Sequence, residues 1–139
     1  MTQEDKGLLL KDLCARLLYG VVVHIHDINV DDYDRQLIPE DIDFIQISKR
    51  DCKPYLRPMS NMTEEEKEEL KTLFDAEDVT SDSICYLEGG TLEEYLSHIS
   101  YSFCSKIIDW LNKNHFDYRE LIPIGLAIEV TEENNPYKD

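Results

Sequence analysis

His24 and His26 are separated by a single residue, so on a β-strand both imidazoles leave the same face, and Asp27 follows at once. That is the beginning of a metal site. A stable transition-metal site takes three or four protein ligands with further support behind them. The remaining histidines, His98 and His115, are far away in sequence, so the pair is read as two polar rings on a partly exposed strand face. Asp31, Asp32 and Asp34 superficially resemble a calcium loop, which needs alternating acids, a glycine at the sixth position and a bidentate glutamate at the twelfth. Counted from Asp32, those positions are Leu37 and Asp43, and the pattern fails. Cys14, Cys52, Cys85 and Cys104 show no CxxC pairing and read as free thiols, with Cys14 and Cys104 set among apolar residues at helical spacing. The chain has no GxSxG, no Walker lysine loop and no GxGxxG. No catalytic residue, cofactor site or metal site is assigned, although a triad assembled from scattered residues would leave no local signature.

The remaining segment of chemical interest is Tyr55-Leu56-Arg57-Pro58-Met59. A proline-bounded extended piece carrying Tyr55, Leu56, Arg57 and Met59 offers residue types enriched at protein interfaces, and it is read as a docking surface. The plainer alternative is that Tyr55, Leu56 and Met59 anchor a crossover to the core while Arg57 meets a carboxylate.

The elements that would carry these residues follow from periodicity. Leu10, Leu13, Cys14 and Leu17 share one helical face, and Gly20 stops that helix near Tyr19, giving a first helix over 3–18. Val21 to His26 is β-branched and directly follows the stop, which predicts a strand. Asp41 to Ile47 is the second strand, expected to pair antiparallel with the first across an acidic loop, 29–40, that lacks an Asn-Gly or Asp-Gly turn signal. Residues 52–62 contain Pro54 and Pro58 and read as an extended connector. Thr63 and Glu66 form a capping box before Leu70 and Leu73, which predicts a helix over 64–75. Ile84-Cys85-Tyr86-Leu87 is either a third strand or an ordered loop. Gly89-Gly90, then Thr91 with Glu94, open a helix over 91–113. Asp117 caps a short helical turn, Leu126 to Val130 form a last short strand, and 131–139 is a polar, frayed tail. The expected fold is α+β: three main helices on a small, mostly antiparallel sheet, in a single domain of 139 residues.

The net negative charge is confined to two stretches, and the remaining residues sum to zero. The net charge is −16; residues 27–43 hold seven acids against Arg35, a net of −6, and residues 64–94 hold twelve acids against Lys67 and Lys71, a net of −10. Such fields repel phosphate backbones and anionic membranes, so direct nucleic-acid and membrane binding are disfavoured, whereas a basic protein surface would be attracted. The plain alternative is that the charge keeps the protein in solution. No apolar run approaches the ~20 residues of a bilayer crossing. Met1-Thr2-Gln3-Glu4-Asp5 lacks the basic start of a signal peptide, so a bacterial cytoplasm is expected and Asn61-Met62-Thr63 is a chance glycosylation match.

Three separated blocks carry a likeness. Lys11-Asp12-Leu13-Cys14-Ala15-Arg16-Leu17, then Tyr55-Leu56-Arg57-Pro58-Met59-Ser60 with Met62-Thr63-Glu64-Glu65-Glu66, and finally Asp109-Trp110-Leu111-Asn112, His115 to Arg119, Leu121-Ile122 and Gly125-Leu126-Ala127 resemble a family of small proteins encoded by phages, prophages and plasmids of gut anaerobes. The chain departs from that pattern at Leu18, where the family often has proline, at Glu120, where it has glycine, and at Val130-Thr131-Glu132, where it has an Ala-Pro-Glu-Gly type of tail. The resemblance implies a mobile-element origin and an intracellular setting, and brings no assigned activity and no catalytic residue.

The expected function is that of a non-enzymatic accessory protein that binds another protein, through Tyr55 to Met59 or through its acidic segments. One alternative is a DNA mimic, which needs the two acidic stretches to form one surface. The other is a small enzyme or metal-binding protein using His24 and His26, which needs a pocket with a partner inside hydrogen-bond reach.

Overall fold

The computed structural model describes residues 2–47, 49–75 and 101–137. They cluster into two compact units, one made of residues 1–57 with 119–139 and the other of 58–118.

In the first unit, helix α1 (Gln3–Arg16) starts at a capping box in which the Thr2 hydroxyl accepts from Asp5 N at 3.0 Å. It tightens into a 3-10 turn, Leu17–Tyr19, and ends at Gly20, whose φ of 71° is the left-handed conformation that a Cβ disfavours. The buried stripe of α1 is Leu9, Asp12, Leu13 and Arg16. Cys14 is exposed, contrary to its expected place on the apolar face. The stripe is turned because Asp12 and Arg16 enter the interior as an ion pair, Arg16 Nε donating to Asp12 Oδ2 at 2.8 Å, and Arg119 Nη1 donating to Asp12 Oδ1 at 2.8 Å.

Strands β1 (Val22–His26) and β2 (Tyr33–Gln36) form an antiparallel hairpin in which His24 faces Asp34. The expected second strand over 41–47 is instead helix α2 (Pro39–Gln46). Pro39 supplies the fixed φ that suits a helix start, and the Asp41 carboxylate reaches back to accept from Ile38 N at 3.1 Å. These start signals outweigh the apparent alternation of Asp41-Ile42-Asp43-Phe44, and Ile45 rather than Phe44 is the core residue. The second antiparallel partner of β1 is therefore β3 (Asp51–Leu56), which replaces most of the expected connector. Proline fits in this central strand because Pro54 lies opposite Val23 with its ring nitrogen turned away from β1. The adjoining β4 (Ile128–Glu129) pairs in parallel with β3 only from Tyr55 onward.

The mixed sheet runs β2-β1-β3-β4. One face buries Val23, Ile25, Cys52 and Leu56 with Leu9 and Leu13 of α1 and Ile45 of α2. Residues 118–119 and 121–125 are turns, and the expected helical turn after Asp117 does not form. The described part of the tail is anchored at Tyr137, whose hydroxyl accepts from Val22 N at 3.0 Å and donates to Tyr55 O at 2.7 Å, standing between two strands where a direct ladder bond would otherwise form.

In the second unit, α3 (Glu64–Asp75) begins at the expected capping box, with Glu66 N donating to Thr63 Oγ1 at 3.1 Å and Thr63 N to Glu66 Oε1 at 3.0 Å. Helix α4 (Tyr101–Lys113) is the described part of the helix expected over 91–113. Met62, Leu70, Ile107, Trp110, Leu111 and Phe116 form its core, with the Trp110 and Phe116 rings stacked at 5.7 Å. The readings of Ile84 to Leu87, Gly89-Gly90 and the Thr91 capping box lie outside the described residues. The class is α+β, with four helices and a four-stranded mixed sheet among the described residues.

Candidate functional site

Alternation along β1 sends Val23 and Ile25 into the core and leaves His24 and His26 on the open face of the sheet. The antiparallel register then places Asp34 beside His24, while Asp32, at the end of the hairpin loop, reaches both imidazoles. His24 Nδ1 lies 2.7 Å from Asp34 Oδ1 and His24 Nε2 lies 3.3 Å from Asp32 Oδ2. His26 Nδ1 lies 2.7 Å from Asp32 Oδ1. The Tyr55 hydroxyl, from β3, donates to Asp34 with both carboxylate oxygens at 3.1 Å. Tyr55, Asp34, His24, Asp32 and His26 thus form one continuous hydrogen-bonded chain across three elements of the hairpin and its neighbour. Lys53 and Asp51 stand opposite His24 and His26 on β3 and complete the charged surroundings.

Because a carboxylate only accepts, His24 donates to Asp34 and Asp32 at the same time only when its ring is protonated. The hydrogen bond to Asp34 is the main influence raising the His24 pKa, opposed by burial and helped by Asp32. The hydrogen bond from His26 chiefly holds the Asp32 carboxyl below its ordinary range, opposed by burial and helped by His24. Burial first, and Asp34 second, push the Tyr55 phenol above its usual value.

The hairpin that carries this chain was not expected. Its loop begins with Asp27, whose Oδ1 accepts from Asn29 N at 3.0 Å, and Val30 N donates to Asp27 O at 3.2 Å. The signal for it was the aspartate two residues before Asn29, a side-chain-closed turn, rather than the Asn-Gly or Asp-Gly dipeptides. The loop tip leaves Ile28 at 88% and Val30 at 54% exposure. Just behind it, Asp41 is fully buried, accepting from Arg35 Nη2 and from Arg50 Nη1, the latter at 2.8 Å. Arg50 also faces Asp27 at 3.6 Å and lies over the Phe44 ring at 4.5 Å. This ionic node ties both ends of the hairpin to α2.

Of the residues expected to form a docking surface, Tyr55 and Leu56 are buried, Arg57 is half-buried, and Met59 is half-buried against the core of the second unit. Among the described residues, no group of three or more His, Cys, Asp or Glu side chains is placed to hold a metal ion. A cavity of about 420 Å³ is lined by Asp5, Leu9, Asp51, Cys52, Lys53, Ile124, Gly125 and Leu126, and neither His24 nor His26 is in its lining. No described helix is long and apolar enough to cross a membrane. No protein-family description, curated protein or solved structure matches the chain.

Proposed function

We propose that this chain is a non-catalytic accessory protein of a mobile element that acts by binding another protein, and that the β1–β2 hairpin makes the contact with a positively charged partner surface. The observation that carries this reading is the composition of the hairpin tip. Two aliphatic side chains, Ile28 and Val30, are held out in solvent beside exposed Asp31 and the Asp32 and Asp34 carboxylates. Exposed aliphatics in a polar frame are typical of a recognition surface, and the net −6 of residues 27–43 favours a basic partner there. The likeness of the three sequence blocks to mobile-element proteins supports the setting.

A protein contact suits the hairpin better than imitation of DNA phosphates does. In the −6 stretch, Asp41 is buried between two arginines, Asp27 faces Arg50, and Asp32 and Asp34 are partly neutralised by histidine. The stretch therefore presents less negative charge to solvent than its composition implies.

The test is quantified recovery of partners from the native host by the intact protein and by an Ile28→Ser, Val30→Ser variant, with circular dichroism confirming that the variant is folded. The reading expects one basic protein to be recovered at least tenfold less by the variant. Equal recovery by both, or salt-sensitive binding of purified protein to duplex DNA, refutes it.

A further inference from the structure

We propose that the gap between Val22 and Tyr55 is a phenol-binding site: Tyr137 fills it from within the chain, on a strap (131–137) that lifts, and a tyrosine side chain of another molecule then takes its place. The site lies at the end of β1 opposite the hairpin loop, so it stands or falls apart from the contact proposed above.

The gap is built into the register. Pro54 lies opposite Val23 and makes no ladder bond to β1, so the bonding positions are His26 with Asp51 and His24 with Lys53. The next would be Val22 with Tyr55, yet there the Tyr137 hydroxyl stands between the strands, accepting from Val22 N at 3.0 Å and donating to Tyr55 O at 2.7 Å. A donor on one wall and an acceptor on the other call for a group that accepts and donates at once. A hydroxyl does both, whereas a carboxylate only accepts and an ammonium only donates. Burial chiefly raises the Tyr137 pKa, opposed by Val22 N–H and the Arg16 guanidinium and helped by Tyr55, so the phenol keeps its proton and remains a donor at neutral pH. The chemistry of the ligand is thus given by one already seated.

The strap is held together locally. Thr131 N donates to Asn134 Oδ1 at 2.6 Å, Asn134 Nδ2 to Glu129 O at 3.1 Å and Tyr137 N to Asn135 Oδ1 at 2.9 Å. Residues 131–134 are exposed, and the hydrogen bonds to Val22 and Tyr55 both end on the one hydroxyl. Lifting Tyr137 breaks those two bonds and leaves the turns behind it intact, which makes it a local opening rather than unfolding of the sheet. An outside phenol competes with Tyr137, so its apparent affinity for the intact protein is reduced by the fraction of molecules whose strap is lifted.

The experiment titrates the whole protein, Tyr137→Phe and Tyr137→Ala with 4-methylphenol, which is the tyrosine side chain without its backbone, and with toluene, which lacks the hydroxyl. Nuclear magnetic resonance follows Val22 amide exchange and the Tyr137 ring. The expected order of affinity for 4-methylphenol is Tyr137→Ala, then Tyr137→Phe, then the intact protein, with about tenfold or more between the first and the last. In Tyr137→Ala, 4-methylphenol slows Val22 exchange and toluene does not. In the intact protein, 4-methylphenol moves the Tyr137 ring resonances toward those of an exposed tyrosine. Failure of 4-methylphenol to bind either variant, or equal effects of the two compounds, overturns the site. Equal affinity of the intact protein and Tyr137→Phe also overturns it, and that comparison decides even where circular dichroism finds Tyr137→Ala unfolded. A Tyr137 ring signal in the intact protein that stays put at about a hundredfold the Tyr137→Phe Kd overturns the lifting strap.

Discussion

Replacing Asp12 by alanine should cost the first unit about 3–5 kcal/mol, the range expected when one member of a buried ionic group is removed. Asp12 and Arg16 have no exposed side-chain surface, and Arg119 keeps only 14%. One carboxylate accepts Arg16 Nε through Oδ2 and Arg119 Nη1 through Oδ1, both at 2.8 Å. Two charge-assisted hydrogen bonds at roughly 1.5–3 kcal/mol each give the same order, since the alanine leaves two guanidinium groups without their shared counter-charge. Removing all three charges together, as Asp12→Leu, Arg16→Met and Arg119→Leu, should recover most of that loss, because no ion is then left behind in the interior. The only tryptophan, Trp110, sits in the second unit, so its fluorescence is the wrong probe. Amide hydrogen exchange of Val23 and Ile25 in β1 reports the first unit directly. A cost below about 1 kcal/mol for Asp12→Ala would refute the argument, as would a triple variant less stable than the single one.

Three further outcomes follow from described contacts. His24 is held above its ordinary value of 6.5, so its contribution to the hairpin is complete below pH 6.5 and fades as pH rises through the folded-state value; Asp32 is held below 3.8, so its contribution is complete above pH 3.8 and fades as pH falls through its own folded-state value. Protection of the β2 amides should therefore be greatest between pH 3.8 and 6.5 after correction for intrinsic exchange, and a flat profile in both wild type and His24→Gln would contradict this. Tyr137→Phe removes a hydroxyl that joins Val22 N to Tyr55 O and should cost about 1–3 kcal/mol with faster Val22 exchange; an unchanged midpoint and exchange rate would contradict it. Burial, with Asp41 adding to it, pushes the Cys52 thiol up to about 12, so iodoacetamide at pH 8 should label exposed Cys14 and spare Cys52 in peptide mapping of the native protein, and equal labelling would contradict the packing.

Legibility in the sequence depended on whether a signal was local. Thr63 with Glu66 and the glycine at 20 act within one turn of helix, and both helix ends they mark are where the residues put them. Asp41 to Ile47 misled because a period of two over four residues is weaker than a proline and two acids in a first helical turn. Pro54 misled in the opposite direction, since a proline is excluded from a strand only where its missing donor is needed. The side-chain chain from Tyr55 to His26 was half visible: the shared face of His24 and His26 follows from strand alternation, but their carboxylate partners depend on a register that only the hairpin defines. Arg119 and Tyr137 were invisible as anchors, because their partners lie 107 and 115 positions back.

That last separation bears on how the protein is made. Residues 1–57 leave the ribosome well before residues 119–137, and at ~5–20 residues per second the gap lasts on the order of 3–12 s. Throughout it β3 has one bare edge, Asp12 answers a single arginine, and the Val22 end of β1 is unspliced. The nascent chain thus carries the Tyr55–Leu56 part of that border open for seconds, a period in which a chaperone, or a neighbouring copy on the same message, meets a stretch that β4 pairs in the finished molecule.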